Sequence, residues 1–161
     1  MNERDPHKQL SSALGRIPSG LFVVTVRHDD AETGMLASWV QQCSFEPPQL
    51  TMAVRNGRDI LGWLAEGAVF TVNILDDSQT DMIGHFGRGF ALDEPAFEGL
   101  EIEHPDGGPA VLSEALAYLR CRVVGRVSAG DHELFLGRVV AGRLLGEGGP
   151  MVHVRKSGFH Y

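Results

Sequence analysis

The most informative stretch of the chain reads Gly34-Met-Leu-Ala-Ser-Trp-Val-Gln-Gln-Cys-Ser-Phe-Glu-Pro-Pro48. It carries too little charge for an ordinary surface loop, and a Pro-Pro pair ends it. If it is extended, its side chains alternate between two faces. One face then carries Met35, Ala37, Trp39, Gln41, Cys43 and Phe45, and the other carries Leu36, Ser38, Val40, Gln42 and Ser44. Both faces mix small polar with apolar groups, as the wall of a site for a flat, partly polar ligand would. Periodicity alone favours a simpler alternative, a core strand that tolerates a few hydroxyls.

The runs on either side of this stretch predict a mainly β chain. Apolar, β-branched or alternating runs predict further strands at residues 20–27, 49–54, 68–75, 119–128, 133–145 and 151–154. Short helices are expected at residues 7–16, after Asp59, and from Asp76 or Asp77 to about Phe86. Residues 87–108 show no clear period and predict a long loop, of the kind that is often functional or mobile. About six strands, two or three short helices and no βαβ order indicate an antiparallel barrel rather than a Rossmann sheet.

Composition restricts the classes of function. A length of 161 residues predicts a single domain, 1–161, with residues 1–6 as a flexible N-terminus. The net charge of −7 argues against a nucleic-acid partner, and no long apolar or basic run favours a membrane. The N-terminus lacks the apolar core of a secretory signal, so we expect a cytoplasmic protein. Cys43 and Cys121 are expected to be reduced, buried thiols. No His or Cys spacing indicates a metal site.

The runs identified above also resemble a known family. Leu21-Phe-Val-Val-Thr25, the Gly34–Pro48 stretch, Phe70-Thr-Val-Asn-Ile-Leu75 and Gly130-Asp-His132 together are similar to the flavin reductase-like family, the FMN-binding split barrels. The pattern is especially similar to the flavin reductase module of cyanobacterial-type flavodiiron proteins. The resemblance covers nearly the whole chain from about Leu14 and implies a Greek-key antiparallel split β-barrel. It also implies a homodimer.

The resemblance gives the Gly34–Pro48 stretch a function, because in the family this run contacts the isoalloxazine ring and the ribityl chain. The matching positions are Leu36, Ala37, Ser38, Trp39 and Ser44, with Ser38 standing where many relatives carry Asn.

The flavin phosphate is expected at the turn after the strand 49–54, before a helix N-terminus that would favour an anion. The candidates are Arg55, Asn56 and Arg58. Gly57 and Ile60 stand where many relatives have hydroxyls, so a solvated turn capped by Asp59 is the alternative.

Two further sites follow from the resemblance. Phe86 and Arg88 match a segment that aims a second basic residue at the flavin phosphate, and the alternative for Arg88 is a surface position in a mobile loop. His132 matches a histidine that lies over the flavin near the nicotinamide. Histidine can hydrogen-bond a carboxamide or a phosphate without a permanent charge. The alternative is a turn histidine that bonds local backbone.

The function implied is that of an NAD(P)H-dependent flavin oxidoreductase, in which a hydride passes from nicotinamide to N5 of FMN. FAD is the alternative flavin, and the co-substrate is NADH or NADPH. A monooxygenase or a flavodiiron-type protein would accept the electrons. Two alternatives stay open: an FMN-binding electron relay or carrier that does not oxidise NAD(P)H, and a non-catalytic dimeric barrel.

Overall fold

The computed structural model describes residues 5–161. Residues 1–4, part of the expected flexible N-terminus, lie outside this range. Asp5 accepts a hydrogen bond from the His7 amide at 3.0 Å and caps helix α1, Pro6–Leu14, so the end of the expected flexible segment belongs to a helix. A second helix, α2, spans Asp81–Gly87. No helix among the described residues is long and apolar enough to cross a bilayer.

Eleven strands account for most of the remaining regular structure in residues 5–161. They are β1 Ser19–Gly20, β2 Phe22–His28, β3 Ala31–Ala37, β4 Val40–Phe45, β5 Pro48–Arg55, β6 Val69–Ile74, β7 Ile102–Glu103, β8 Val111–Leu112, β9 Ala117–Ala129, β10 His132–Leu144 and β11 Val152–His153. The main sheet is antiparallel with the order β3-β2-β6-β9-β10-β5-β4, while β1 pairs with β11 and β7 pairs with β8.

The connection between β3 and β4 shapes this sheet into an open barrel. The two strands lie at opposite edges of the sheet order, yet only Ser38 and Trp39 separate them along the chain. Three peptide units reach about 11 Å at most, so the two edges must approach each other. The structure confirms the expected mainly β, Greek-key antiparallel split barrel with short flanking helices.

Several local expectations are corrected. The Gly34–Pro48 stretch forms two strands rather than one extended wall, and the main sheet therefore has seven strands where about six were expected. The segment after Arg58 is a five-residue 3-10 helix, Asp59–Trp63, with Arg58 rather than Asp59 at its N-cap. Cys43 is exposed, because its strand β4 is an edge strand, whereas Cys121 is buried as expected.

Two apolar clusters stabilise the fold. One fills the barrel and includes Val24, Met52, Phe70 and Phe135, each 0% exposed. The other lies beside β2 and packs α2, through Phe86, against the segment that follows it. Burial of such side chains contributes roughly 1.5–3 kcal/mol each.

The long segment 87–108 is fastened to the barrel, although its sequence predicted a loop without regular structure. His104 Nε2 lies 2.9 Å from Oε2 of Glu32, and the other oxygen of Glu32 accepts the Ala110 amide at 2.6 Å. The buried guanidinium of Arg120 donates to the carbonyl oxygens of Pro105 and Pro109. These contacts hold the end of the segment against the start of β3 and against β9.

Candidate functional site

A cavity of about 850 Å³, open to solvent, lies at the break between β3 and β4. We call it the first cavity. Its walls are Leu21, Met35, Leu36, Ala37, Ser38, Trp39, Ala53, Val54, Arg55, Arg58, Ile83, Phe86, Gly87, His153 and Tyr161. Apolar side chains predominate, with a few polar groups, as expected for a planar aromatic ligand with a polar edge.

The break places a free donor in this apolar wall. Trp39 stays attached to β5 through its carbonyl oxygen, which accepts the Ala53 amide at 3.0 Å. Ser38 lies outside the strand ladder and is only 7% exposed, and its hydroxyl has no hydrogen-bond partner in the described part of the chain. The Ser38 hydroxyl is not one of the fully buried, unpartnered polar atoms of residues 5–161, so it keeps some exposure to the open cavity. It is therefore available to a ligand carbonyl or ring nitrogen.

Two arginines bring positive charge to the cavity. Arg55 ends β5, and Arg58 precedes the 3-10 helix. Neither forms an ion pair with a described residue. The Arg58 side chain passes close to Gly89, whose φ is +78°. A Cβ added at Gly89 would lie 3.1 Å from Nη1 of Arg58. Because the helix has only five residues, anion binding here depends on the two guanidinium groups rather than on a helix dipole.

His132 lies at the start of β10, beside the first cavity but not in its wall. It is 7% exposed, and its ring centroid is 4.7 Å from that of Trp39. Its Nδ1 lies 2.6 Å from Oδ1 of Asp131, and its Nε2 contacts the hydroxyl of Tyr161. Since a carboxylate only accepts, Nδ1 donates to Asp131, and in the tautomer that has its proton on Nδ1 the Nε2 atom accepts from Tyr161. The hydrogen bond from His132 lowers the pKa of Asp131.

A second cavity of about 460 Å³ adjoins the first. Its walls are Trp39, Arg55, Asp131, His132, Arg155, Gly158, Phe159, His160 and Tyr161. Trp39, Arg55 and Tyr161 belong to both cavities. A ligand that stacks in the first cavity could therefore extend into the second.

The structure brings most of the candidate residues together. Leu36, Ala37, Ser38, Trp39, Arg55, Arg58 and Phe86 line the first cavity, and His132 lines the second. Three candidates lie elsewhere: Ser44 pairs with Gln49 at the sheet edge, the Asn56 side chain bonds the Gly130 carbonyl at 3.5 Å, and Arg88 lies 3.5 Å from Glu94.

The sequence did not indicate several of the cavity residues. The pattern places Met35 on one face of an extended strand and Ile83 within a short helix, and neither position by itself indicates a site. A terminal residue such as Tyr161 is more often frayed than part of a site, and Arg155 belongs to no recognisable motif. Arg155 and Tyr161 lie more than a hundred positions from Trp39 along the chain, so no local spacing could have associated them with it.

Comparison with known proteins places the chain in a family. A family model described as "Flavin reductase like domain" matches residues 14–160. Among curated proteins, a "Putative diflavin flavoprotein A 3" of Nostoc sp. is 38% identical over 154 residues, which is 94% of this chain and 27% of the relative. A protein of the same name from Synechocystis sp. is 41% identical over 150 residues, which is 92% of this chain and 25% of the relative. The chain thus spans about a quarter of the length of these relatives.

Solved structures share the fold. "Flavin reductase PheA2 in native state" is 28% identical with a TM-score of 0.77, covering 96% of this chain and 94% of that one. The styrene monooxygenase flavin reductase of Pseudomonas putida S12 is 26% identical with a TM-score of 0.76, covering 90% of this chain and 91% of that one. The Streptomyces globisporus NADH:FAD oxidoreductase SgcE6 is 24% identical with a TM-score of 0.83 over 96% of this chain and 92% of its own, a likeness of fold.

Proposed function

The chain belongs to the flavin reductase-like family, and from this membership and the two adjoining cavities we propose that it is an NAD(P)H-dependent flavin oxidoreductase. The observation that carries the proposal is the Ser38 hydroxyl, which has no partner among the described residues and faces an apolar cavity that also contains two arginines without ion pairs to described residues. This combination suits a planar ring with a polar edge and a phosphate. The flavin, when bound, accepts a hydride at N5 from the nicotinamide, and the protein supplies geometry and hydrogen bonds.

The residues of the first cavity would bind and orient the flavin. Leu36 and Phe86 would cover the ring, and Ser38 would donate to its polar edge. Arg58 and Arg55 would hold the phosphate, since a charge-assisted hydrogen bond to phosphate contributes about 1.5–3 kcal/mol. In a chain of net charge −7, these local cations are needed to retain a dianion. FMN is the flavin that the family resemblance favours, and FAD, which has a phosphate at the same position of the ribityl chain, is the alternative.

His132 and Tyr161 would position the co-substrate. The His132 ring lies against Trp39 and is oriented by Asp131 through Nδ1. Tyr161 bonds Nε2 of His132 and belongs to both cavities, so a nicotinamide entering the first cavity must displace its ring or pack against it. No side chain has to act as a strong acid or base, because hydride transfer needs the two rings in close, aligned contact. Both NADH and NADPH remain proposed co-substrates.

We also propose a homodimer that acts in the cytoplasm. An apolar groove open to solvent is lined by Phe22, Val40, Leu50, Leu119 and Val139, among others, and could accept the same face of a second copy. Reduced flavin or electrons would pass to a separate acceptor. A flavodiiron-type acceptor is supported by the names of the curated relatives, and a monooxygenase by the styrene monooxygenase flavin reductase.

A second function, an FMN-dependent electron relay, is favoured by the length of those relatives, because a module that spans a quarter of a longer protein can receive its electrons within that protein. Steady-state assays distinguish the two. The purified protein with added FMN should oxidise NADH or NADPH, at a rate proportional to enzyme concentration. FMN binding without oxidation of either nucleotide would exclude the reductase and support the electron relay.

A further inference from the structure

The second cavity contains a buried cation without an anion. Arg155 is 8% exposed, and its guanidinium group lies over the Trp39 ring, with Cζ 5.1 Å from the ring centroid. Its hydrogen bonds go to the carbonyl oxygens of Gly158 and Leu14, each at a long 3.4 Å. Within residues 5–161, no carboxylate lies within 4.0 Å of its nitrogens. Burying an unpaired charge is costly, so the site is arranged for an anion that arrives from outside.

The surrounding charges favour an anion as well. Arg55 shares the cavity wall and forms no ion pair with a described residue. Asp131, the one acidic side chain among the described residues of that wall, is 76% exposed and already accepts from His132. The positive charges of Arg58, Arg55 and Arg155 all act on the Tyr161 hydroxyl, although burial still raises the pKa of Tyr161. Three guanidinium groups therefore converge on the boundary between the cavities in a chain of net negative charge.

The position of the second cavity identifies the anion. On the proposed function, the nicotinamide must stack in the first cavity, and the rest of the nucleotide must leave by a neighbouring space. The second cavity adjoins the first at Trp39, Arg55 and Tyr161, and its walls include the aromatic side chains of Phe159 and His160. A doubly charged pyrophosphate with an attached adenosine matches these cationic and aromatic groups.

We propose that the second cavity is a subsite for the pyrophosphate half of the pyridine nucleotide, with Arg155 as its main cation. Arg55 contributes a second charge from the shared wall. Arg155 also holds the segment that carries Tyr161 through its bond to Gly158, so nucleotide binding and the position of the Tyr161 ring are connected. This inference rests on the proposed function for the identity of the ligand, whereas the anion subsite itself rests on the buried, unpaired guanidinium.

The test uses ADP-ribose, which has the pyrophosphate and adenosine but no nicotinamide and needs no redox step. Isothermal titration of the full chain, saturated with FMN, compares the wild type with Arg155→Gln, Arg155→Lys and Arg16→Gln. Arg155→Gln should weaken ADP-ribose binding about tenfold or more, as expected for one lost charge-assisted contact. Arg155→Lys should restore part of the affinity. Arg16→Gln is the matched control, because Arg16 bonds the Arg155 carbonyl outside the cavity and should leave binding unchanged.

A kinetic comparison separates ligand binding from structural support of Trp39. Arg155→Gln should raise KM for NADH about tenfold, with little change in kcat, in FMN affinity or in KM for reduced nicotinamide mononucleotide, which lacks the pyrophosphate. Equal losses of FMN and ADP-ribose affinity would make Arg155 a support for the wall and overturn the proposal.

Two further results would also overturn it. The first is the same ADP-ribose affinity in Arg155→Gln and the wild type, or no ADP-ribose binding to either protein. The second is a variant that loses affinity for FAD but not for ADP-ribose, because the cavity would then bind the adenylate half of the flavin. If ADP-ribose binding depends on Arg155 but neither NADH nor NADPH is oxidised, the reductase function fails and the anion subsite stands.

Discussion

We expect phosphate binding in the first cavity to depend most on Arg58. Arg58 lines the cavity, passes close to Gly89 and forms no ion pair with a described residue. Arg88, the other arginine that the resemblance indicated, lies 3.5 Å from Glu94 and stacks 4.3 Å above Phe90. The two side chains therefore differ in availability: Arg58 is free for a ligand, whereas Arg88 is engaged within the segment that follows α2.

This difference predicts the effect of removing each arginine. Arg58→Ala should weaken FMN binding about tenfold or more, because a charge-assisted contact to the phosphate is lost. Riboflavin, which has no phosphate, should bind both proteins alike. Arg88→Ala should bind FMN as the wild type does. Fluorescence titration of the apoproteins measures these affinities. A larger loss of FMN affinity in Arg88→Ala than in Arg58→Ala would reverse the assignment.

The two cysteines differ in reactivity. Burial raises the pKa of Cys121 to about 12, so its thiol stays protonated at neutral pH, whereas Cys43 is exposed on the edge strand β4. Because the thiolate is the reactive form, a thiol reagent should label one cysteine in the native protein and two after unfolding. Mass spectrometry should find the native label on Cys43. Rapid native labelling of Cys121 would contradict its burial.

At the level of elements, the thirteen-residue strand β10 pairs with β9 along its length, and the register of the pairing shifts next to Gly137. An added Cβ at Gly137 would lie 2.7 Å from Cζ of Phe70 and 3.2 Å from Cβ of Cys121, both in the barrel core. The backbone of β10 therefore lies so close to the core at this point that no side chain larger than hydrogen fits without displacing its neighbours. The ring of Phe70 occupies the space that a side chain at Gly137 would take.

We predict that Gly137→Ala lowers the free energy of unfolding by about 1–3 kcal/mol, the usual cost of overpacking a core. Gly62→Ala is the matched control, since an added Cβ there meets nothing within 4 Å, and we expect a change within about 0.5 kcal/mol. Urea denaturation followed by circular dichroism measures both. Equal stabilities of Gly137→Ala and the wild type would show that the core yields at this contact.

The sequence predicts the elements better than the points where they break. Alternation and β-branched runs indicated β2, β5, β6, β9 and β10 close to their observed positions. The break at Ser38–Trp39 was missed because neither glycine nor proline marks it. It arises from tertiary structure: the Ala53 amide bonds the Trp39 carbonyl while the barrel brings its edges together. The same long-range closure brings Arg155 against Trp39, which no local pattern contains.

On the scale of the whole molecule, the apolar groove beside Val40 and Val139 predicts a dimer. Light scattering after gel filtration should give twice the 17.5 kDa mass of the chain. Val139→Asp places a charge in the groove, which is lined by several apolar side chains, and should shift the population toward the monomer. Glu147→Gln changes an exposed side chain outside the groove and should remain dimeric. A monomeric wild type at micromolar concentration would remove the homodimer from the proposal.

The central proposal for the whole molecule is that the first cavity, at the open edge of the barrel, holds a flavin ring between the β3–β4 break and Phe86. A crystal structure of the protein soaked with FMN tests this most directly. We predict an isoalloxazine ring within hydrogen-bond distance of the Ser38 hydroxyl and a phosphate against Arg58. Side chains that fill the first cavity, with FMN absent or bound elsewhere, would contradict it.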